Sequence, residues 1–342
     1  MQTITQADAG TPETVGVRSR ASRSPGWRSL TYRYGIVGVW VLEIAVFAVL
    51  VPDTFLTAAN ITSLLSSQAA LLVLALALVP TLTTGEIDLS IAGTMTVSAT
   101  IAAQLNAVDG VNLWLSILAG LCAAAVVGLV NALLAVRVGV ESIIVTLGMG
   151  TLLIGLSVWF SNSLTISGVS PEISAVLNSQ LLRVNTAFYL ALALGIGMWF
   201  VYRHTVFGRA AVFIGKSAEV ARLSGLPVTR IKVLSFVATS LLAGLAGVIV
   251  IGIAGGLQPT SLQSLLLPAF AAAFLGSAII DPGTSNPLGT VIAVLFLATG
   301  ISGLVLLGMD TWIRDVFYGA AVVVAVTVSR LAMVASRKAA AP

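Results

Sequence analysis

Charge is what this 342-residue chain has least of. Asp, Glu, Lys and Arg make up 9% of it, where soluble globular domains carry roughly a quarter. Hydrophobic residues make up 58% and the mean hydropathy is +1.05. There is too little charge to clothe a water-soluble domain, so the class is an all-α polytopic integral membrane protein. Cysteine is reduced to Cys122, inside an apolar run, which excludes an intrachain disulfide and a cysteine metal cluster. Histidine is reduced to His204, which excludes an HExxH metal helix and a membrane-embedded Ser-His-Asp set. Gly215-Lys216-Ser217 ends like a phosphate-binding loop, but that motif needs a glycine where Ala210 stands. No catalytic residue, metal or cofactor is expected, and nothing supports an enzyme.

The net charge of +4 does not point to nucleic acid, because the cations border apolar spans and serve to orient the chain in a bilayer. A span needs about 20 mostly apolar residues. On that ruler ten are predicted, near 35–51, 64–82, 88–105, 113–136, 142–161, 186–202, 233–254, 265–280, 288–307 and 312–333. With a cytoplasmic N-terminus, fifteen of the seventeen Lys and Arg fall on inner segments, leaving only Arg183 and Arg314 outside. Ten spans with both ends inside therefore satisfy the positive-inside rule. Residues 1–34 read as a disordered basic cytoplasmic tail, 35–333 as the transmembrane domain and 334–342 as a cytoplasmic C-terminal tail. The largest outer segment, 162–185, has the composition of a solvated loop and is also a candidate surface for an extracytoplasmic partner. Small residues recur at helix-packing intervals: Gly120, Ala124 and Gly128; Gly148 and Gly155; Gly244 and Gly247; Gly252 and Gly256.

The loop 203–232 concentrates six cations between two apolar spans. Within it, Ser217 is an N-cap candidate and Gly225, followed by Leu226-Pro227, a stop, so a short cytoplasmic helix is predicted. Val220 and Leu223 fall on one side of it, with Glu219 and Arg222 an i, i+3 pair on the other. Such an element is either a docking helix or a solvated loop whose charges only set topology.

Polar residues inside the membrane are the other signal. Thr83 to Ser90, reading TTGEIDLS, interrupts an otherwise apolar stretch. It is tolerated where it is buried in protein or lines a cavity, or else it is a short cytoplasmic turn. Asp88 or Ser90 could cap the following helix. A second interruption, from Asp281 to Pro287, falls on the same predicted side, and each is followed by a Gly-Thr pair, Gly93-Thr94 and Gly289-Thr290, which hints at an internal repeat. Glu43, in the first span, should face the bundle as a hydrogen-bonded carboxyl or a proton site. The candidate intramembrane and pathway residues are Glu43, Glu86, Asp88, Ser90, Thr94 and Asn131.

The motifs TGEIDLSIAGTM from Thr84, VESIIVTLGMGTLLIGLS from Val140, TVFGRAAVFIGKSAEVARLSGLPVTRIK from Thr205, LLAGLAGVI from Leu241 and GTVIAVLFLATGISGLVLLGMDTW from Gly289 carry a resemblance. From Val51 to about Val328 the chain is similar to the membrane-spanning permease subunits of bacterial ABC importers for monosaccharides, the ribose, xylose, galactose and autoinducer-2 branch. The resemblance implies a place in the bacterial cytoplasmic (inner) membrane, in contact with lipid. It implies a second permease subunit, identical or related, two cytoplasmic ATPase domains and an extracytoplasmic sugar-binding protein. It also implies that the central loop carries the coupling helix that docks on the ATPase, with Gly208, Arg209, Gly215, Glu219, Ala221, Arg222 and Gly225 matching its motif. Asp88 and Ser90 match the family's intramembrane stretch. Glu86 stands where a glycine is usual, and Ile301-Ser302-Gly303 replaces an Asn-Gly-Leu, which marks a divergent member or half of a heteromeric pair. The alternative from another class is an ion-coupled secondary transporter with Glu43, Glu86 and Asp88 as proton sites; a membrane scaffold without flux is a third.

Overall fold

A computed structural model describes the backbone of residues 27–280 and 283–340, with side chains described for 35–280 and 283–327. The fold is all-α. Its helices are α1 Trp27–Leu50, α2 Ala58–Ser67, α3 Ala69–Ala77, α4 Val79–Thr83, α5 Ile91–Ala103, α6 Leu113–Ala132, α7 Ser142–Phe160, α8 Pro171–Leu177, α9 Thr186–His204, α10 Val206–Lys216, α11 Ala218–Leu223, α12 Val228–Ala254, α13 Leu266–Gly276, α14 Pro287–Leu306 and α15 Trp312–Ala340. Leaving aside the short α8, α10 and α11, they make ten rods among the described residues: α2–α4 follow one another with single-residue breaks, α5 and α6 each end in a π-helical turn, and a 3-10 segment, Pro259–Leu265, leads into α13. Among the described residues eight rods are long and apolar enough to cross a membrane, and α1 adds the shorter apolar stretch Gly35–Leu50.

The rod boundaries differ from those read from sequence for identifiable reasons. The first helix starts at Trp27, so Arg28 and Arg33 lie on its opening turns instead of ending a loose tail; residues 1–26 of that expected tail lie outside the described residues. The last helix runs to Ala340, through most of the expected 334–342 tail. The second rod begins at Ala58, not at 64, because the Thr57 side chain accepts a hydrogen bond from Asn60 N at 3.3 Å and starts a polar but helical first turn. It breaks at Leu78, where Pro80 sits at the head of α4 without an N–H to offer the preceding turn. The segment 162–185, expected outside, is more than a solvated loop: α8 buries Ile173 and Leu177, and Ile166–Ser167 pairs antiparallel with Gly256–Leu257.

The core is centred on α3, whose residues from Leu71 to Ala77 are all buried, with α12 packed against α3, α5 and α6. Small residues set these crossings. A Cβ on Gly128 would meet Phe236 O and Ser240 Oγ at 2.8 Å, and one on Gly244 would meet Ala124 Cβ at 2.8 Å. Gly120, Gly247, Gly252 and Gly256 likewise stand against Ser98, Met95, Leu177 and Ile166. The pair Gly148 and Gly155 does not follow suit. Nothing described lies within 4 Å of a Cβ at either, because that face of α7 points away from the bundle.

Gly128→Leu should therefore destabilise the solubilised chain by about 1–3 kcal/mol or more through overpacking, whereas Gly148→Leu should stay within about 0.5 kcal/mol. Thermal unfolding in detergent, followed by tryptophan fluorescence, distinguishes them.

Candidate functional site

The loop 203–232 folds into two short helices where one was expected. α9 ends at His204 because Thr205 caps the next helix, its Oγ1 accepting from Gly208 N at 3.2 Å. α10 then turns back along the end of α9. Gly208 permits this, since a Cβ there would run into Tyr202 Cα and the Val201 carbonyl. α10 buries Gly208, Ala210, Ala211 and Ile214. It went unread in the sequence, although Ala210, Ala211 and Ile214 have helical spacing, because Arg209 and Lys216 made the stretch look like open loop.

The ends of α11 follow the prediction but its faces do not: Val220 and Leu223 share the exposed side with Glu219 and Arg222, and Ala221 is the residue it buries. Ser217 Oγ accepts from Val220 N at 3.3 Å, and Gly225 takes a left-handed φ of +80° that ends the helix. Ala221 is fully buried, while Val220 and Leu223 are 49% and 83% exposed. Glu219, Arg222 and Arg209 are exposed as well. Glu219 and Arg222 do not form the expected ion pair; among the described residues only Lys232 and Glu86 do. Beneath α11, Ala211, Ile214, Ala221, Val228 and Ile231 form a small apolar core of their own, separate from that of the bundle.

This unit rests on the segment between α4 and α5, residues 84–90. A Cβ on Gly215 would collide with the Thr83 carbonyl oxygen, so the end of α10 touches the end of α4 backbone to backbone. Gly85, at φ +83°, lies under the same glycine. Lys232, in the second turn of α12, donates from Nζ to Glu86 Oε1. The interrupting segment is thus largely packed in protein and is not a simple cytoplasmic turn: Thr84, Asp88 and Ser90 are buried, as is Thr94 on α5, and only Gly85 is exposed. Neither Asp88 nor Ser90 caps α5 with its side chain. Instead Asp88 Oδ1 accepts from Ser90 N at 2.8 Å and from Ser90 Oγ at 2.6 Å, a local Asx turn. Asn131 Nδ2 on α6 donates to Ser90 Oγ at 2.8 Å, and Ser90 Oγ lies 3.5 Å from Thr94 Oγ1.

Four of the six candidate intramembrane residues, Asp88, Ser90, Thr94 and Asn131, therefore share one network. Glu86 belongs to the ion pair. Glu43 stands apart, its carboxyl against Gly300 of α14 and its Oε2 buried without a partner among the described residues. Sequence reading missed Ser142 and Thr146 on α7. Leu89 N donates to Thr146 Oγ1 at 2.9 Å and Ile87 N to Ser142 Oγ at 3.4 Å, which supplies acceptors for amides that no helix satisfies. The second interruption reaches the same place, since Thr83 Oγ1 donates to Ser285 O at 3.4 Å. Asn286 caps α14, accepting from Gly289 N at 2.6 Å.

A double-mutant cycle on Glu86→Gln and Lys232→Met should give a coupling energy of roughly 0.5–3 kcal/mol in detergent unfolding. Additive effects would mean that the two side chains are neighbours only.

Residues 60–326, which run from α2 into α15 and take in the α10–α11 unit and the Asp88 network, match a family described as the permease component of branched-chain amino acid transport systems. The ribose import permease of Bacillus subtilis (strain 168) is 32% identical over 297 residues, covering 86% of this chain and 91% of that protein. The L-arabinose ABC transporter permease of Azospirillum brasilense is 30% identical over 321 residues, 94% of each. The ribose import permease of Escherichia coli (strain K12) is 27% identical over 319 residues, 92% of this chain and 98% of its own. No solved structure matches. With one family model covering most of the rods, and relatives near 30% identity along almost the whole length, this multi-pass chain belongs to the family of transport-system permease components.

Proposed function

We propose that this chain forms half of the membrane path of an ATP-driven importer for a monosaccharide or similar small polyol, in a bacterial cytoplasmic membrane with both termini inside. Two permease subunits, identical or related, flank the path. Two ATPase domains dock from the cytoplasm, and a soluble binding protein presents the solute outside. The sugar class is supported by the ribose and L-arabinose transport named for the relatives. A second subunit is supported by the outward face of α7, where Gly148 and Gly155 meet nothing described.

The observation that carries the reading is the α10–α11 unit. Exposed Val220 and Leu223, flanked by Glu219 and Arg222, make an apolar patch on a short helix whose opposite side is locked by buried Ala221. One end of the unit sits on Thr83 through Gly215. ATP does work by binding one state of the ATPase pair better than the other. The docked α11 then passes that preference to the bundle as a rigid-body shift.

Reconstitution with the ATPase and binding protein in proteoliposomes tests this. Leu223→Asp or Glu219→Arg should cut ATP-driven sugar uptake about tenfold or more by weakening ATPase docking at an anchor position, with the unfolding temperature of the isolated chain unchanged. Uptake driven by a pH gradient without ATP would instead favour the secondary transporter, with Glu43 and Asp88 the next residues to change.

A further inference from the structure

The second rod has two ends. Thr83 touches α10; at the other end, around Asn60, a cavity of about 520 Å³ opens between α2, the segment leading into α13, α14 and α15. This volume is within the ~300–1,000 Å³ range of small-molecule sites. Its walls alternate polar and apolar side chains. α2 lines it with Asn60, Ser63 and Ser67 at i, i+3 and i+7, the two serines exposed at its opening, and with Leu64 between them. Across from them α14 presents Ser302 between the apolar side chains of Ile301 and Val305, and α15 presents Arg314, Asp315 and Tyr318. Ser302 Oγ donates to Asn60 Oδ1 at 3.2 Å, which joins two of the walls. Asn60 Nδ2 donates to Phe55 O at 2.8 Å and holds that amide in place.

The chemistry of this lining is specific. Hydroxyls both give and accept hydrogen bonds, a guanidinium only gives, and a carboxylate only accepts. Together they match a ring bearing adjacent hydroxyls, each needing a donor and an acceptor. Ile301, Val305 and the Tyr318 ring offer surface for the C–H faces of such a ring. A crevice facing lipid would not collect this many polar groups, because hydrocarbon leaves them unsatisfied. Arg314 is also one of only two cations that the charge pattern puts outside.

We propose that this cavity is a subsite for a single sugar ring at the outer mouth of the permease, filled transiently as the solute leaves its binding protein. It rests on the importer reading and orientation proposed above.

Ser302→Cys in a Cys122→Ser background, expressed in intact cells or right-side-out vesicles, tests the cavity directly. The introduced thiol should react with a membrane-impermeant methanethiosulfonate from outside. Reaction should slow roughly threefold at a sugar concentration about twice the dissociation constant, with D-ribose and L-arabinose as probes and betaine as the osmotic control. Ser63→Cys on the facing wall should behave alike and serves if Ser302→Cys does not reach the membrane. Ala175→Cys on exposed α8 should react at the same rate with or without sugar. A sugar that the wild-type complex imports but that leaves both cavity thiols unprotected would overturn this proposal alone, as would equal protection by betaine or thiols that the outside reagent never reaches. Absence of ATP-driven uptake of any tested sugar by the wild-type complex would remove the importer reading and this proposal with it.

Discussion

Everything around the centre of this bundle follows from one requirement: a stretch of backbone that stops being helical among buried helices must still satisfy its amides. Residues 84–90, Asp88 excepted, do so with partners that fix their neighbours. Glu86 N reaches back to Thr81 O at 3.0 Å, Ile87 N and Leu89 N reach hydroxyls on α7, and Ser90 N turns to Asp88. Those hydroxyls bring α7 close, and small residues make the approach feasible. A Cβ on Gly150 would stand 3.2 Å from Leu89 O, and one on Gly93 would stand 2.6 Å from Gly150 O. Burying a carboxylate such as Asp88 costs free energy unless donors surround it. The Ser90 amide and hydroxyl supply two, both to Oδ1, and Asn131 anchors that hydroxyl from α6, while Oδ2 is buried with no partner among the described residues.

The α10–α11 unit is related to this centre in a different way. Its small core joins residues of α10 and α11 to Val228 and Ile231 at the start of α12. Its attachments are the Gly208 crossing over α9, the Gly215 contact with Thr83 and the continuation into α12, from which Lys232 reaches Glu86. A body held by a few contacts, with a separate core, can move as a piece without unpacking the bundle.

Legibility in the sequence tracked how local each determinant is. Apolar runs, the Ser217 cap and the Gly225 stop depend on neighbours along the chain and could be read. α10 was hidden because Arg209 and Lys216 disguised a helix built on alanines and glycine. Ser142 and Thr146 were invisible because a hydroxyl in a helix commonly bonds its own preceding turn, as Thr146 Oγ1 also does to Ser142 O at 2.8 Å; the residues they hold are more than fifty positions away. The polar face of α2 delayed the expected start of that span for the same reason that it lines a cavity. Gly148 and Gly155 show the limit of spacing: a small-residue interval says that something can approach closely, not that this chain supplies it.

The meeting of Gly215 with Thr83 involves no side chain on the α10 side. Side chains ordinarily act as compliant spacers, because a rotamer can swing and absorb a small displacement. Where two backbones abut there is no such slack. A shift of α10 toward the bundle therefore arrives at α4, and at the turn beyond it, at nearly its full amplitude, so the joint works as a stiff strut whose stroke is set by main-chain geometry.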